Sequence, residues 1–134
     1  MLAIFINECY QIEREAKNVL KDKPKEFLII SGDDDLALGV TLAGGSGVIS
    51  VIGQAFPKQF STMINHGLQG NSREGYEIHY KMMDIIDYIF EENNPAGIKT
   101  VLQELEICKE DVRLPLVKSS SQLKTKIIKF VKSM

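Results

Sequence analysis

The chain has 134 residues, 44% of them hydrophobic and 25% charged, with a formal net charge of −2 at neutral pH. That is enough sequence for one domain with a real core, an ordinary composition for a globular protein, and a charge balance with no overall pull toward nucleic acid or an anionic membrane. Cys9 and Cys108 are isolated and show no metal-ligand or redox spacing. The apolar start MLAIFINE is too short for a membrane span and lacks a basic leader and cleavage site, so a reducing, cytoplasmic setting is expected.

The first element is a strand over Leu2 to Ile6, an apolar run that begins almost at once. Ile12, Ala16, Val19 and Leu20 follow at the spacing of an amphipathic helix, which Lys21-Asp22-Lys23-Pro24 ends. Phe27 to Ile30 is an unbroken apolar run, as in a strand buried on both faces. Ser31-Gly32-Asp33-Asp34 closes it and supplies caps for a short helix striped by Leu36, Val40 and Ala43. Gly44-Gly45-Ser46-Gly47 stops that helix, and Val48-Ile49-Ser50-Val51 reads as the next strand. About twenty residues between two buried strands implies a crossover helix and a parallel sheet.

After Val51 the pattern is helical. Pro57 suits the first turn of a helix lined by Phe60, Met63, Ile64 and Leu68, with Gly67 and Gly70 closing it. A longer helix spans Ser72 to Glu91, with Ile78, Met82, Ile85, Ile86 and Ile89 on one side. Asn94-Pro95 is a cap and a proline start for a helix carrying Ile98, Val101, Leu102 and Leu105. Val112 to Leu116 is expected to be extended ahead of Pro115. Ser119 to Ser121 cap a last helix lined by Leu123, Ile127, Phe130 and Val131. The division expected is 1–56, three strands with their crossovers, and 57–134, helices only.

Several clusters invite a chemical reading. Asp33-Asp34-Asp35 has the composition of a metal or acid/base site, but consecutive residues leave a helix start in different directions, so capping is the expected role. The Gly44 to Gly47 run follows a helix and opens a strand, the reverse of a phosphate-binding loop. His66 and His79 lack metal-ligand spacing and are expected at the surface or its boundary. Met63, Met82 and Met83 follow core stripes. Lys118, Lys124, Lys126, Lys129 and Lys132 accumulate with no acidic residue after Asp111. A basic amphipathic helix can bind membranes or nucleic acid. This one lacks Trp and Arg and needs its apolar stripe for the core, so a solvated outer face is expected, with no nucleic-acid or membrane partner.

FLIISGDD, GGSGVISV, ENNPAGIK and VRLPL, in that order and at these spacings, resemble the dihydrodipicolinate synthase family, the lysine-pathway branch of the pyruvate-dependent class I aldolases. The resemblance runs over nearly the whole chain. It implies an α/β fold, the second half of a TIM (β/α)8 barrel: strands six to eight within 1–56, then the last barrel helix and a C-terminal helical region within 57–134. A whole barrel needs about 250 residues, roughly twice what is here. The family's threonine pair and relay tyrosines belong to strands one to five, and those motifs do not occur in this sequence.

The resemblance also assigns positions. The family's Schiff-base lysine sits in a G-I-K-E motif at the end of strand six. Ungapped alignment from FLIISGDD places that motif on Phe5-Ile6-Asn7-Glu8, so Asn7 stands at the lysine position. An amide nitrogen is not nucleophilic and forms no imine. Lys17 and Lys21 belong to the following helix and read as solvated charges. Gly32 matches the glycine whose backbone lies beside the pyruvate carboxylate, and Ile49 the residue whose carbonyl approaches the keto acid. Asn94 and Lys99 match an N-P-x-x-x-K segment that reads as structural. After GVISV, the segment IGQAF replaces a Thr-Ala-Asn type of sequence.

The family reaction is lysine-imine condensation of pyruvate with aspartate semialdehyde, with no metal and no cofactor. The expectation for this chain is a lyase-family half-barrel, truncated or degenerate and inactive alone. Its ligand, if any, would be a pyruvate-like keto acid, and its partner a second copy or a separate front-half chain. The alternatives are a non-catalytic partner-binding half-barrel and one subunit of a split aldolase.

Overall fold

The computed structural model describes the strand Ala3–Ile6 and residues 18–134. Asn7, Cys9, Lys17 and the first part of the predicted opening helix lie outside the described residues. In chain order the elements are β1 (Ala3–Ile6), a helical segment over 18–22 (α1), β2 (Leu28–Ser31), α2 (Ala37–Leu42), β3 (Gly47–Val48), a 3-10 turn at Ile52–Gln54, α3 (Pro57–Leu68), α4 (Ser72–Glu91), α5 (Ala96–Glu104) and α6 (Ser121–Val131). The sheet order is β1-β2-β3. Both pairings are parallel, with Ala3 opposite Leu28 and Ile30 opposite Gly47. The crossover topology expected from the sequence is therefore present.

The strands are less enclosed than a continuous apolar run suggests. In β2, Ile29 and Ser31 are buried, whereas Leu28 and Ile30 are only half-buried. One face of the strand meets helices: Ile29 and Val40 form a small core with Val19, Leu20, Phe27 and Leu36. Larger apolar burial occurs among the helices, where Leu38, Ile52, Phe60, Met63, Met82, Ile85, Ile89, Val101, Leu123 and Ile127 pack together. Phe130 reaches back to Phe56, ring centroids 6.4 Å apart and edge-on.

The structure corrects several sequence readings. β3 ends at Val48 rather than Val51. The chain instead bends into the 3-10 turn because the buried Asp34 carboxylate draws in the N–H groups of Val51 and Ile52. In α2 the buried residues are Ala37, Leu38, Val40 and Thr41, and Ala43 is exposed. This helix is enclosed on more than one side, so a single stripe does not describe it. Gly67 lies inside α3, and Gly70, at φ 76°, takes the turn that follows. Pro95 is the N-cap of α5, and Asn94 makes no capping bond. Residues 112–116 are not extended: Leu116 N–H donates to the Arg113 carbonyl at 3.0 Å, closing a turn that leaves Leu114 90% exposed. Met83 is exposed on α4, one residue off the core stripe.

The basic last helix is not simply solvated. Lys124 pairs with Glu110 at 2.6 Å, Lys126 with Glu91 at 2.7 Å, and Lys118 with Asp111 at 2.7 Å. These acidic partners come from α4 and the segment leading to α6, so the charge run is matched by the fold. Lys99 also bonds the Asp111 carbonyl, fastening α5 to that segment.

Candidate functional site at the strand ends

β2 ends in Ser31, and the residues that follow build a compact turn. Ser31 is buried; its hydroxyl donates to the Asp33 carbonyl at 2.9 Å and accepts the Asp33 N–H at 3.2 Å. Gly32 lies between them. The Asp33 carboxylate accepts the N–H groups of Asp35 and Leu36 at 2.9 and 3.2 Å, closing an Asp turn ahead of α2; the N-cap of that helix is Leu36 and no side chain caps it, so the capping role expected for this cluster is not taken up. Asp34 points elsewhere, away from its own helix. It is 2% exposed and holds Ile52 N–H at 2.8 Å and Val51 N–H at 3.1 Å. Burial pushes the Asp34 carboxyl above its ordinary range, against the hydrogen bonds from Ser50, Ile52 and Val51 that favour the charged form.

These contacts lock two loops together. Ile49 N–H donates to the Ser31 carbonyl at 2.9 Å, and Ser50 Oγ accepts Gly53 N–H at 2.7 Å. The loops after β2 and β3, which carry Gly32 and Ile49, are thereby held at the carboxyl end of a parallel sheet. Open α/β sheets and barrels place their ligand sites there. Sequence reasoning located Gly32 and Ile49 but missed Asp34 as the residue joining their loops. Its only local signal was its place as the middle member of three consecutive aspartates.

Over this end lies a cleft of about 660 Å³, lined by Gly32, Asp33, Asp35 and Val51 on one side and by Ile86, Asp87, Phe90, Glu91 and Asn94 on the other. Gly32 and Asn94 thus share one cleft. Ile49 does not line it and is 60% exposed. Among the described lining residues are four carboxylates and no cation. Glu91 is paired with Lys126 and Asp33 accepts two N–H groups, so part of this charge is compensated within the chain, and the remainder disfavours an anionic ligand. Those lining residues also hold no amine, so they offer no group that could form an imine.

His79 corrects another expectation. It is 6% exposed, not a boundary residue. Nε2 lies 3.5 Å from Asp35 Oδ1, the Tyr76 and Tyr80 rings flank it, and the buried Nδ1 makes no hydrogen bond. Burial lowers its pKa, with Asp35 pulling the other way. The position was readable: Gly75, His79, Met82, Ile86 and Ile89 form one buried stripe at helical spacing. His66 is half-buried on α3. Among the described residues no group of three His, Cys, Asp or Glu is placed to hold a metal ion, and no helix is long and apolar enough to cross a membrane.

The sequence model of the dihydrodipicolinate synthetase family matches residues 4–134. The 4-hydroxy-tetrahydrodipicolinate synthase of Flavobacterium psychrophilum is 48% identical over 120 residues, which is 90% of this chain and 41% of that protein. The same enzyme of Karelsulcia muelleri is 42% identical over 114 residues, 84% of this chain and 38% of that protein. The crystal structure of dihydrodipicolinate synthase from Aquifex aeolicus superposes with a TM-score of 0.92 at 30% identity, covering 99% of this chain and 45% of that one. Another solved dihydrodipicolinate synthase gives 0.90 at 30% identity. The chain spans about two-fifths of the length of these curated relatives and matches their C-terminal part. Its three parallel strands and helices are a section of the TIM barrel those structures share, and the chain belongs to the dihydrodipicolinate synthetase family.

Proposed function

We propose that this chain forms the C-terminal wall of a 4-hydroxy-tetrahydrodipicolinate synthase-like lyase site but does not supply the imine-forming amine. The observation that carries the reading is the pairing of Gly32 with a cleft at the carboxyl end of β2, in a chain whose register puts Asn7 where the family's lysine belongs. In the family reaction, an amine nitrogen attacks the pyruvate carbonyl carbon and water leaves, giving an imine. Asn7 has no lone pair available for that attack. Gly32 and the Ile49 carbonyl would line the keto-acid position, and Asp34 would hold their loops in place. The cleft's negative wall requires cationic or donor groups from the remaining part of a barrel before a keto-acid anion is held. The chain alone is therefore read as non-catalytic, and two cysteines without metal-ligand or redox spacing in the sequence support a reducing, cytoplasmic setting.

The test is reduction with borohydride in the presence of pyruvate, followed by intact-mass measurement. The chain alone should gain no pyruvyl mass, whereas Asn7→Lys, fused behind the front half of the Flavobacterium psychrophilum synthase, should be trapped at residue 7. A stable adduct on the unaltered chain would overturn the missing-nucleophile reading. A fused Asn7→Lys protein that folds but is never trapped would overturn the lyase reading.

A further inference from the structure

We infer that His79 is a positioning residue of the acidic cleft: it tethers Asp35 to α4 and, through its own protonation, sets the net charge at that end of the cleft. This rests on the reading of the cleft as the site and adds a control on it. α4 presents two points of one buried stripe to the turn after β2. Ile86 lines the cleft together with Gly32, Asp33 and Asp35. His79 precedes Ile86 by about two helical turns on the same stripe. Its Nε2 lies 3.5 Å from Asp35 Oδ1. Asp35 therefore lines the cleft and also faces a buried imidazole. Of the cleft's carboxylates, Glu91 has Lys126 and Asp33 has two N–H groups. Asp35 is compensated only when His79 carries a second proton.

The surroundings of the ring decide what each nitrogen can do. Gly75, one turn earlier, lets α2 come close: a Cβ there would stand 2.8 Å from the Leu38 side chain. Tyr76 and Tyr80 meet the imidazole edge-on, with ring centroids 5.7 and 5.9 Å away. Nδ1 is buried in this packing and has no hydrogen-bond partner. A neutral ring therefore keeps its proton on Nε2, toward the carboxylate, and a second proton has to enter at Nδ1, where no acceptor waits. The titratable groups nearby are Asp35 from the turn ahead of α2, Tyr76 and Tyr80 on α4 itself, and His66 on α3, whose Cβ is 3.6 Å from where a Cβ on Gly75 would stand. α2 carries no titratable side chain, and among the described residues no charge on α5 or α6 acts on the ring. Asp35 favours the imidazolium, and burial is the larger, opposing effect. Near neutral pH the ring is thus uncharged, and the Asp35 charge acts on the cleft in full. Once the ring is protonated, the pair is neutral overall and the cleft is one charge less negative.

NMR titration of the whole chain with 15N-labelled histidine and backbone provides the test. Well above the ordinary histidine value of 6.5, the ring nitrogen shifts of His79 should place the proton on Nε2. The amides of Gly32, Asp33 and Asp35 on one wall, and of Ile86 and Phe90 on the other, should move with the His79 midpoint. His79→Gln should remove that step from all of them. Asp35→Asn, at a position 53% exposed, should weaken proton binding at His79 by about three- to tenfold, and Asp35→Glu, which keeps the charge, should restore most of it. A histidine that only packs would titrate without moving the cleft amides and would ignore both Asp35 variants. A neutral ring protonated on Nδ1, cleft amides that do not follow the His79 step, or a His79 midpoint that Asp35→Asn leaves unchanged overturns the inference. The proposed function fails separately, on the pyruvate trapping result, which depends on neither residue.

Discussion

Asp34 accepts two backbone N–H groups, those of Val51 and Ile52. Each donor left unpaired in a buried setting costs roughly 1–3 kcal/mol, so Asp34→Ala should lower unfolding stability by at least about 2 kcal/mol, read from urea midpoints. Asp34→Asn keeps one acceptor oxygen and should lose less. Because burial raises the folded-state pKa above 3.8, the folded chain binds this proton more tightly than the unfolded one. The contribution is fully present below the unfolded pKa and is lost as pH rises through the folded value. His79 works in the opposite sense. Its folded pKa lies below 6.5 because burial, the larger effect, outweighs Asp35. Its contribution is present above the unfolded pKa and is lost as pH falls through the folded one. Thermal midpoints should therefore fall as the pH drops below 6.5, and His79→Gln should flatten that part of the profile. An equally steep profile in the variant would assign the acid sensitivity to other groups.

Among the elements, α4 over Ser72–Glu91 and the proline start of α3 follow directly from apolar spacing and Pro57. Periodicity reports one buried face well, and these helices each have one. It fails where burial comes from several sides or where a distant group bends the chain. α2 is enclosed beyond its stripe, β3 is cut short by a carboxylate seventeen residues away in sequence, and His79 belongs to a buried stripe that its polarity disguised. The cleft was legible only through Gly32: Asn94, which also lines it, read as structural, and its carboxylates come from separate elements. Close helix packing gives a paired expectation. A Cβ on Gly97 would run into the backbone of Ile89, whereas one on Gly39 would meet nothing within 4 Å. Backbone cannot move aside as a side-chain tip can, so Gly97→Ala should destabilise by about 1–3 kcal/mol. Gly39→Ala, within α2, should be neutral or stabilise by up to about 1 kcal/mol through helix propensity. Calorimetric midpoints of the two variants, moving in opposite directions, check the packing of α5 on α4.

On the scale of the molecule, the question is whether one restored amine is enough to make this chain work. Catalytic groups that act as a unit are strongly non-additive, so restoring one member returns little while the others are missing. Asn7→Lys would supply an amine. The threonine and tyrosine motifs of the family's front half do not occur in this sequence, and the described cleft residues include four carboxylates and no cation. The single variant in this chain should therefore show no turnover of pyruvate and aspartate semialdehyde above the parent. The same substitution in the front-half fusion, where donors and opposing barrel strands are supplied, should raise imine trapping. Coupled-assay rates for both proteins, measured beside borohydride trapping, separate a missing nucleophile from a missing wall. Turnover by the unfused variant would show that the cleft at the ends of β2 and β3 binds and activates the keto acid without the rest of a barrel.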